Sequence, residues 1–342
     1  MARSPPSTFV AGVELISVGK AVLVETLPMR PICLVGDHLH KSFCVVDHSA
    51  WRKFASRFVR THVLSGCVFF GLLFFSIADS AAAPQTDELV NRLSNIEACN
   101  GSDRSSPDAQ LKGCSALTNT GKETKLFLAI AHNNRGNAYL TKGDYNRAIE
   151  DYSLAINYNP EYAKPFNNRG VAFQKKGDFD RAIADFNQAI KLKPDYATAF
   201  ANRGEANQKK REYQNSAKDY AEAIRLNPDL EGVWNGRCWS RAVIGELRDA
   251  LADCNKALLL QPNNAAYHDS RGLTYLKMGQ FDAAIEDYSA ALRIDSNLAS
   301  ALYGRGLAKL KKGDANGGNA DLAAARKLTA SIVDDFSRYD VK

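Results

Sequence analysis

From Ala129 onward, apolar residues fall at i, i+3, i+4 and i+7 in stretches long enough for an amphipathic helix. Each stretch ends in a break and is followed by a second of the same kind. The breaks include Gly143–Asp144, Gly177–Asp178 and Gly313–Asp314, pairs that end a helix and turn the chain. The pattern then recurs every 34 residues. Arginine marks it at Arg135, Arg169, Arg203, Arg237, Arg271 and Arg305, and aspartate at Asp151, Asp185, Asp219, Asp253, Asp287 and Asp321. This predicts two helices per unit and six units over residues 129–330. A single hairpin cannot bury its apolar face, so neighbours must stack into an all-α solenoid with a concave groove.

Residues at fixed offsets within the units carry a more specific resemblance. The first unit has Gly136, Tyr139, Ala148, Tyr152, Ala155 and Pro160, and the second Phe166, Gly170, Phe173, Ala182, Phe186, Ala189 and Pro194. The third keeps Phe200, Gly204, Tyr220, Ala223 and Pro228, and the fifth Gly272, Tyr275, Ala284, Tyr288 and Ala291. The fourth and sixth are more degenerate, with Cys238 and Lys309 at signature places. The order of Gly, aromatic, Ala, aromatic, Ala and Pro resembles the tetratricopeptide repeat, here of an exported bacterial type. That resemblance implies a right-handed superhelical solenoid of helix–turn–helix repeats whose first helices line the inner surface.

The arginine and aspartate rows straddle each turn symmetrically, eight residues to either side of Gly143 in the first unit. An arginine row alone would suit an anion-binding ladder. Because the aspartate recurs as faithfully, the expected role is an Arg–Asp pair that braces each hairpin or each repeat against its neighbour.

The N-terminal third reads differently. Arg52, Lys53, Arg57 and Arg60 precede an apolar run from Val63 to Ala78, then the small residues Ser80 to Ala83. This is the three-part pattern of a secretory signal, with residues 63–82 as its apolar region and cleavage site. Residues 1–62 are then a poorly structured leader, and translation is expected to start nearer residue 45 than Met1. Left uncleaved, the run would be an anchor of about 16 residues, short for a span. Leu64-Ser65-Gly66-Cys67 matches a lipoprotein box but precedes most of the apolar run, so lipidation is not expected.

Register also singles out two cysteines. Where other units pair Gly136 with Tyr152 or Gly170 with Phe186, the fourth has Cys238 and Cys254, both members replaced together. A Cys238–Cys254 disulfide is expected, contributing on the order of 3 kcal/mol for a loop of this size. Cys99–Cys114, flanking a Gly-, Asp-, Ser- and Pro-rich turn, would clasp an N-terminal capping segment at 83–128. Cys33, Cys44 and Cys67 fall in the part expected to be removed or untranslated. Zinc is not expected, since neither pair has CxxC spacing or nearby histidines.

On the inner face, Asn134, Asn168 and Asn202 precede the first three arginines. They are similar to the asparagine ladder by which some tetratricopeptide proteins hold an extended peptide, each amide able both to donate and to accept. Asn133, Asn137, Asn167, Lys164 and Lys175 extend this polar, mildly basic stretch. It does not match the family's carboxylate clamp, because Val171 stands where that clamp needs Asn. In later units the ladder gives way to Gly236, Ser270 and Gly304, and the face offers Trp239, Leu273, Leu276, Leu307 and Leu310 instead. Residues 331–342 form an expected C-terminal capping helix through Ile332, Val333 and Phe336, or alternatively a docking segment.

Charge excludes some functions. Beyond residue 82 the chain carries 36 Lys and Arg against 33 Asp and Glu, too near neutral for a nucleic-acid footprint. A mean hydropathy of −0.31 excludes a polytopic membrane protein. No phosphate loop, metal-spaced cluster or nucleophile elbow occurs, and His132 and His268 sit where other units place large packing residues. No catalytic residue, metal or cofactor is therefore expected. The sequence reads as an exported, periplasmic scaffold for a protein or peptide partner. The alternative is a component of envelope or secretion-complex assembly, anchored in the inner membrane and facing the periplasm. The membrane is a partner only if the apolar run is uncleaved.

Overall fold

The computed structural model of the chain describes residues 87–101, 106–121 and 123–341. The expected leader, the apolar run at 63–82, and Cys33, Cys44 and Cys67 lie outside the described residues. A helical stretch at 87–100 and α1 (Pro107–Thr118) precede the hairpins. The hairpins are α2 (Lys125–Thr141) with α3 (Tyr145–Tyr158), α4 (Ala163–Lys175) with α5 (Phe179–Leu192), and α6 (Ala197–Lys209) with α7 (Tyr213–Leu226). They continue as α8 (Val233–Ile244) with α9 (Leu247–Leu260), α10 (Ala265–Lys277) with α11 (Phe281–Ile294), and α12 (Ala299–Lys311) with α13 (Ala315–Leu328). A short α14 (Ile332–Arg338) follows. The described residues contain no strand, and no helix among them is long and apolar enough to cross a membrane. The architecture is an all-α repeat solenoid.

The turns form for local reasons. Gly143, Gly177, Gly245, Gly279 and Gly313 take φ between 73° and 91°, a region open to glycine at little cost. Asp144, Asp178 and Asp314 then cap the second helix, accepting from the backbone N–H of Arg147, Arg181 and Gly317 at 3.1, 3.1 and 2.9 Å. In the third unit Arg211 holds this position at φ 66°, so its neighbours must hold a conformation that costs a side chain about 1–2 kcal/mol. The first helix starts at Lys125, earlier than the unit boundary expected at Ala129. Thr124 caps it there, accepting from the Phe127 N–H at 3.2 Å.

Packing follows the small–large alternation. A Cβ at Gly136 would lie 2.6 Å from the Tyr152 ring, and one at Gly170 would lie 2.6 Å from Phe186. Only glycine lets these helices approach so closely. Ala148, Tyr152 and Ala155, with their counterparts Ala182, Phe186 and Ala189, are fully buried.

Where the fourth unit departs from this rule, fully buried Cys238 and Cys254 have Cα atoms 5.2 Å apart. Cys99 and Cys114 have Cα atoms 4.6 Å apart. Both separations suit a disulfide. Cys99, Cys114, Leu117 and Ala131 form one apolar cluster with Ile96 and Phe127, which seats the N-terminal segment against the first repeat.

The four cysteines after residue 82 give a direct check. Denatured without reductant, a processed chain beginning near Ala83 should show almost no free thiol. Four reactive thiols would mean that the pairs are close but unbonded.

Candidate functional site

Three rows of side chains run along the stack, and their bonding separates architecture from surface. In all six hairpins the arginine Nε and Nη2 donate to the carboxylate of the aspartate 16 residues later, at 2.5–3.1 Å. This forked geometry is the strong form of the ion pair. The aspartates are buried. The third arginine nitrogen, Nη1, turns to the preceding element. Arg135 reaches Ser115 and Thr118 on α1 at 3.3 and 3.1 Å. Arg169 reaches Ser153 at 2.9 Å, Arg203 reaches Asn187 at 2.6 Å, Arg271 reaches Asn255 at 2.8 Å, and Arg305 reaches Ser289 at 3.3 Å. The fourth unit lacks this backward bond; there Arg241 adds a second cation to Asp253 at 2.7 Å. The arginine row thus joins both helices of a hairpin and, in five units, ties that hairpin to its predecessor.

His132 and His268 join the same motif. Their Nδ1 atoms lie 2.9 Å from Asp151 and 3.0 Å from Asp287. Burial pushes the Asp151 carboxyl up, but its bonds to Arg135 and His132 outweigh this and hold it below the usual range. Asp321 behaves likewise, with Arg305 and Lys309 overcoming burial.

The amide row forms one continuous chain of hydrogen bonds. Asn202 donates to Asn167 at 2.9 Å, Asn167 to Asn168 at 3.2 Å, and Asn168 to Asn133 at 3.1 Å and Asn137 at 3.0 Å. Asn133 then donates to Asn134 at 3.2 Å, and Asn134 to Asn100 at 3.4 Å. The Tyr152 hydroxyl also donates to Asn137, at 2.9 Å. Asn133 and Asn167 are buried, so they support the row instead of meeting solvent. Asn134, Asn168 and Asn202 are half-buried at the surface, and Lys164 and Lys175 are exposed beside them. Asn202 accepts no hydrogen bond on Oδ1 among the described residues.

The later units present an apolar inner surface, and this is covered. Trp239 stands edge-on between Tyr213 and Tyr339, with ring centroids 5.3 and 5.4 Å away. Phe336 packs on Tyr303 at 4.8 Å. The aromatic residues of the C-terminal segment thus reach from Tyr303 in the sixth unit back to Trp239 in the fourth.

Asp269, which sequence reasoning passed over, occupies in the fifth unit the place held by Asn133 and Asn167. Its Oδ2 accepts from the Ser300 hydroxyl at 2.8 Å, while Oδ1 is buried without a partner. Burial pushes its carboxyl up to about 7, opposed by the Ser300 bond. Tyr288 and Tyr339 stand close enough for its charge to raise their hydroxyls further. Reading the register row by row would have exposed this acid one repeat after Asn235.

No group of His, Cys, Asp and Glu among the described residues is arranged to hold a metal.

Comparison with known proteins agrees with this geometry. Residues 136–177 and 272–313 match a family model described as TPR repeat. Residues 163–196 and 197–230 match models described as Tetratricopeptide repeat. The matched segments fall within the stacked hairpins of this all-α repeat solenoid. No curated protein matches the chain. Among solved structures, a tetratricopeptide repeat protein from Parabacteroides merdae superposes with a TM-score of 0.54 at 17% identity, over 73% of this chain and 99% of that one. The pilF protein of Pseudomonas aeruginosa gives 0.52 at 16% identity, over 62% and 98%. The APC/C hetero-tetramer Cut9–Hcn1 gives 0.54 at 18%, over 69% of this chain and 49% of that one. At these identities the likeness is one of fold.

Arg169→Ala should lower stability by about 3 kcal/mol, because it strands a buried carboxylate, and thermal unfolding measures it. An unchanged melting temperature would mean that the pair is not structural. Asp269→Asn should act with a definite pH dependence. A carboxyl raised by burial disfavours the folded state once ionised, so wild-type stability falls as pH rises from about 4 to about 7. The variant should gain roughly 4 kcal/mol over wild type at pH 8 and little at pH 4. Equal differences at both pH values would contradict the assignment.

Proposed function

We propose that this chain is a non-catalytic scaffold that holds a protein or extended peptide along its concave face, in an exported, periplasmic setting. The supporting observation is the amide row. Asn134, Asn168 and Asn202 stand in register on successive inner helices, oriented by Asn133, Asn137 and Asn167 beneath them. An extended backbone alternates N–H and C=O groups, and oriented amides match it without demanding a side-chain sequence. Lys164 and Lys175 favour a partner with acidic side chains beside the held backbone. The arginines of the row are not part of this surface, since the Nε and Nη2 donors of each are engaged by its aspartate within the stack.

Export rests on the signal-like segment and on the two cysteine pairs, which an oxidising compartment would bond. An uncleaved segment would instead anchor the same scaffold in the inner membrane as part of an envelope or secretion assembly. Release by osmotic shock supports the soluble form, and retention with membranes supports the anchored one.

A photoreactive residue at Lys175 should crosslink a discrete partner in intact cells. Asn202→Ala should weaken that capture about 2–10-fold with little loss of stability, the effect of one hydrogen bond. Full capture by a stably folded Asn134, Asn168 and Asn202 triple alanine variant would retire the amide row as the contact surface.

A further inference from the structure

The apolar half of the groove already holds a ligand-like segment. Ile332, Phe336 and Tyr339 fall at i, i+4 and i+7, the spacing by which an amphipathic helix enters a hydrophobic groove. Ile332 and Phe336 are buried. Tyr339 stacks edge-on against Trp239, and burial raises its hydroxyl to about 12. The surface beneath includes Trp239, Val243, Leu276, Tyr303 and Leu310, all in one apolar cluster with the segment. Its polar groups, by contrast, are bonded internally. Arg338 pairs with Asp335 at 3.2 Å, Ser337 donates to the Asp334 carbonyl at 2.8 Å, and the Asp340 and Val341 N–H groups bond back to Ser337 and Phe336. No side-chain hydrogen bond or ion pair among the described residues joins residues 332–341 to the repeats. Apolar contact is the main attachment, with the Asp340 charge felt at Lys277 beside it, and a seven-residue helix does not persist unsupported.

We infer that residues 331–341 are an intramolecular latch on a second binding surface, centred on Trp239, whose external ligand is an amphipathic helical segment of a partner. That ligand carries an aliphatic and two aromatic anchors at i, i+4 and i+7, and it displaces the latch to bind. The inference rests on the scaffold reading and assigns that groove a second, regulated half. The amide row takes extended backbone at the N-terminal end, and the latched surface takes a helix at the C-terminal end. Aromatic anchors in a preformed apolar pocket carry most of the affinity in such contacts. A tethered occupant at high effective concentration keeps weak or mismatched helices out.

The test uses the full chain and a fluorescein-labelled synthetic peptide of residues 329–342. Wild type should bind the peptide at least tenfold more weakly than Phe336→Ser/Tyr339→Ser, in which the latch is disabled, as read by fluorescence anisotropy. A peptide with the same two substitutions should bind neither chain. A double variant with wild-type helical circular dichroism that gains no affinity overturns the latch. Should that variant lose helicity, hydrogen exchange on wild type decides. Amides of 333–341 opening alone, ahead of α10 and α12, support the latch, whereas opening only together with those helices overturns it. Crosslinking from Lys175 alongside no gain in peptide binding defeats the latch alone; loss of both defeats the scaffold reading as well.

Discussion

A buried carboxylate gripped by an arginine fork is the constraint on which the rest of this stack depends. A hairpin of two amphipathic helices leaves two apolar faces open, and hydrophobic contact alone does not fix how far one helix slides along the other. The bidentate pair does, because two N–H donors must meet two oxygens at once. Placed eight residues either side of the turn, it sets the register of the hairpin. The remaining Nη1 bond, as from Arg169 to Ser153, extends the same constraint to the preceding hairpin. Close contacts such as Gly136 on Tyr152 then become possible, since they require the helices to be level.

With the arginines committed inward, the groove's chemistry is left to the residues beside them, and it divides along the solenoid. The first three repeats carry amides that orient one another from Asn202 back to Asn100, a polar track with groups left over for a backbone. The last three carry Trp239 and its aliphatic neighbours, which would expose a large apolar face were the C-terminal segment not lying on it. The unpartnered oxygen of Asp269 lies inside the second of these regimes, in the fifth repeat, at a place where the first two repeats carry amides.

Much of this was legible in the sequence because repetition supplies its own alignment. The 34-residue period gave the hairpins, the Arg–Asp rows and the inner face, and departure from the period singled out Cys238 with Cys254. Position within the repeat did not say whether an amide faces outward or is engaged by a neighbour. Asn133 and Asn168 differ by one place in register, yet the hydrogen bond between them crosses from one repeat to the next. Such pairings depend on the stacking geometry, which no single unit encodes. The course of residues 331–341 was equally hidden: their helical spacing predicts an amphipathic helix, but not that Tyr339 meets Trp239 two repeats back. Arg211 at a glycine's φ likewise follows the fold against local preference, the neighbouring turns having set its conformation.

The coupling within one Arg–Asp pair measures this constraint most directly. A double-mutant cycle on Arg271 and Asp287, replacing them singly and together by Met and Leu, isolates that coupling from the separate cost of each change. The coupling should be about 2 kcal/mol or more, with the double variant more stable than the chain in which Asp287 keeps only His268. A coupling below about 0.5 kcal/mol would show that apolar packing alone sets the register, and that the recurring pair does not hold the solenoid together.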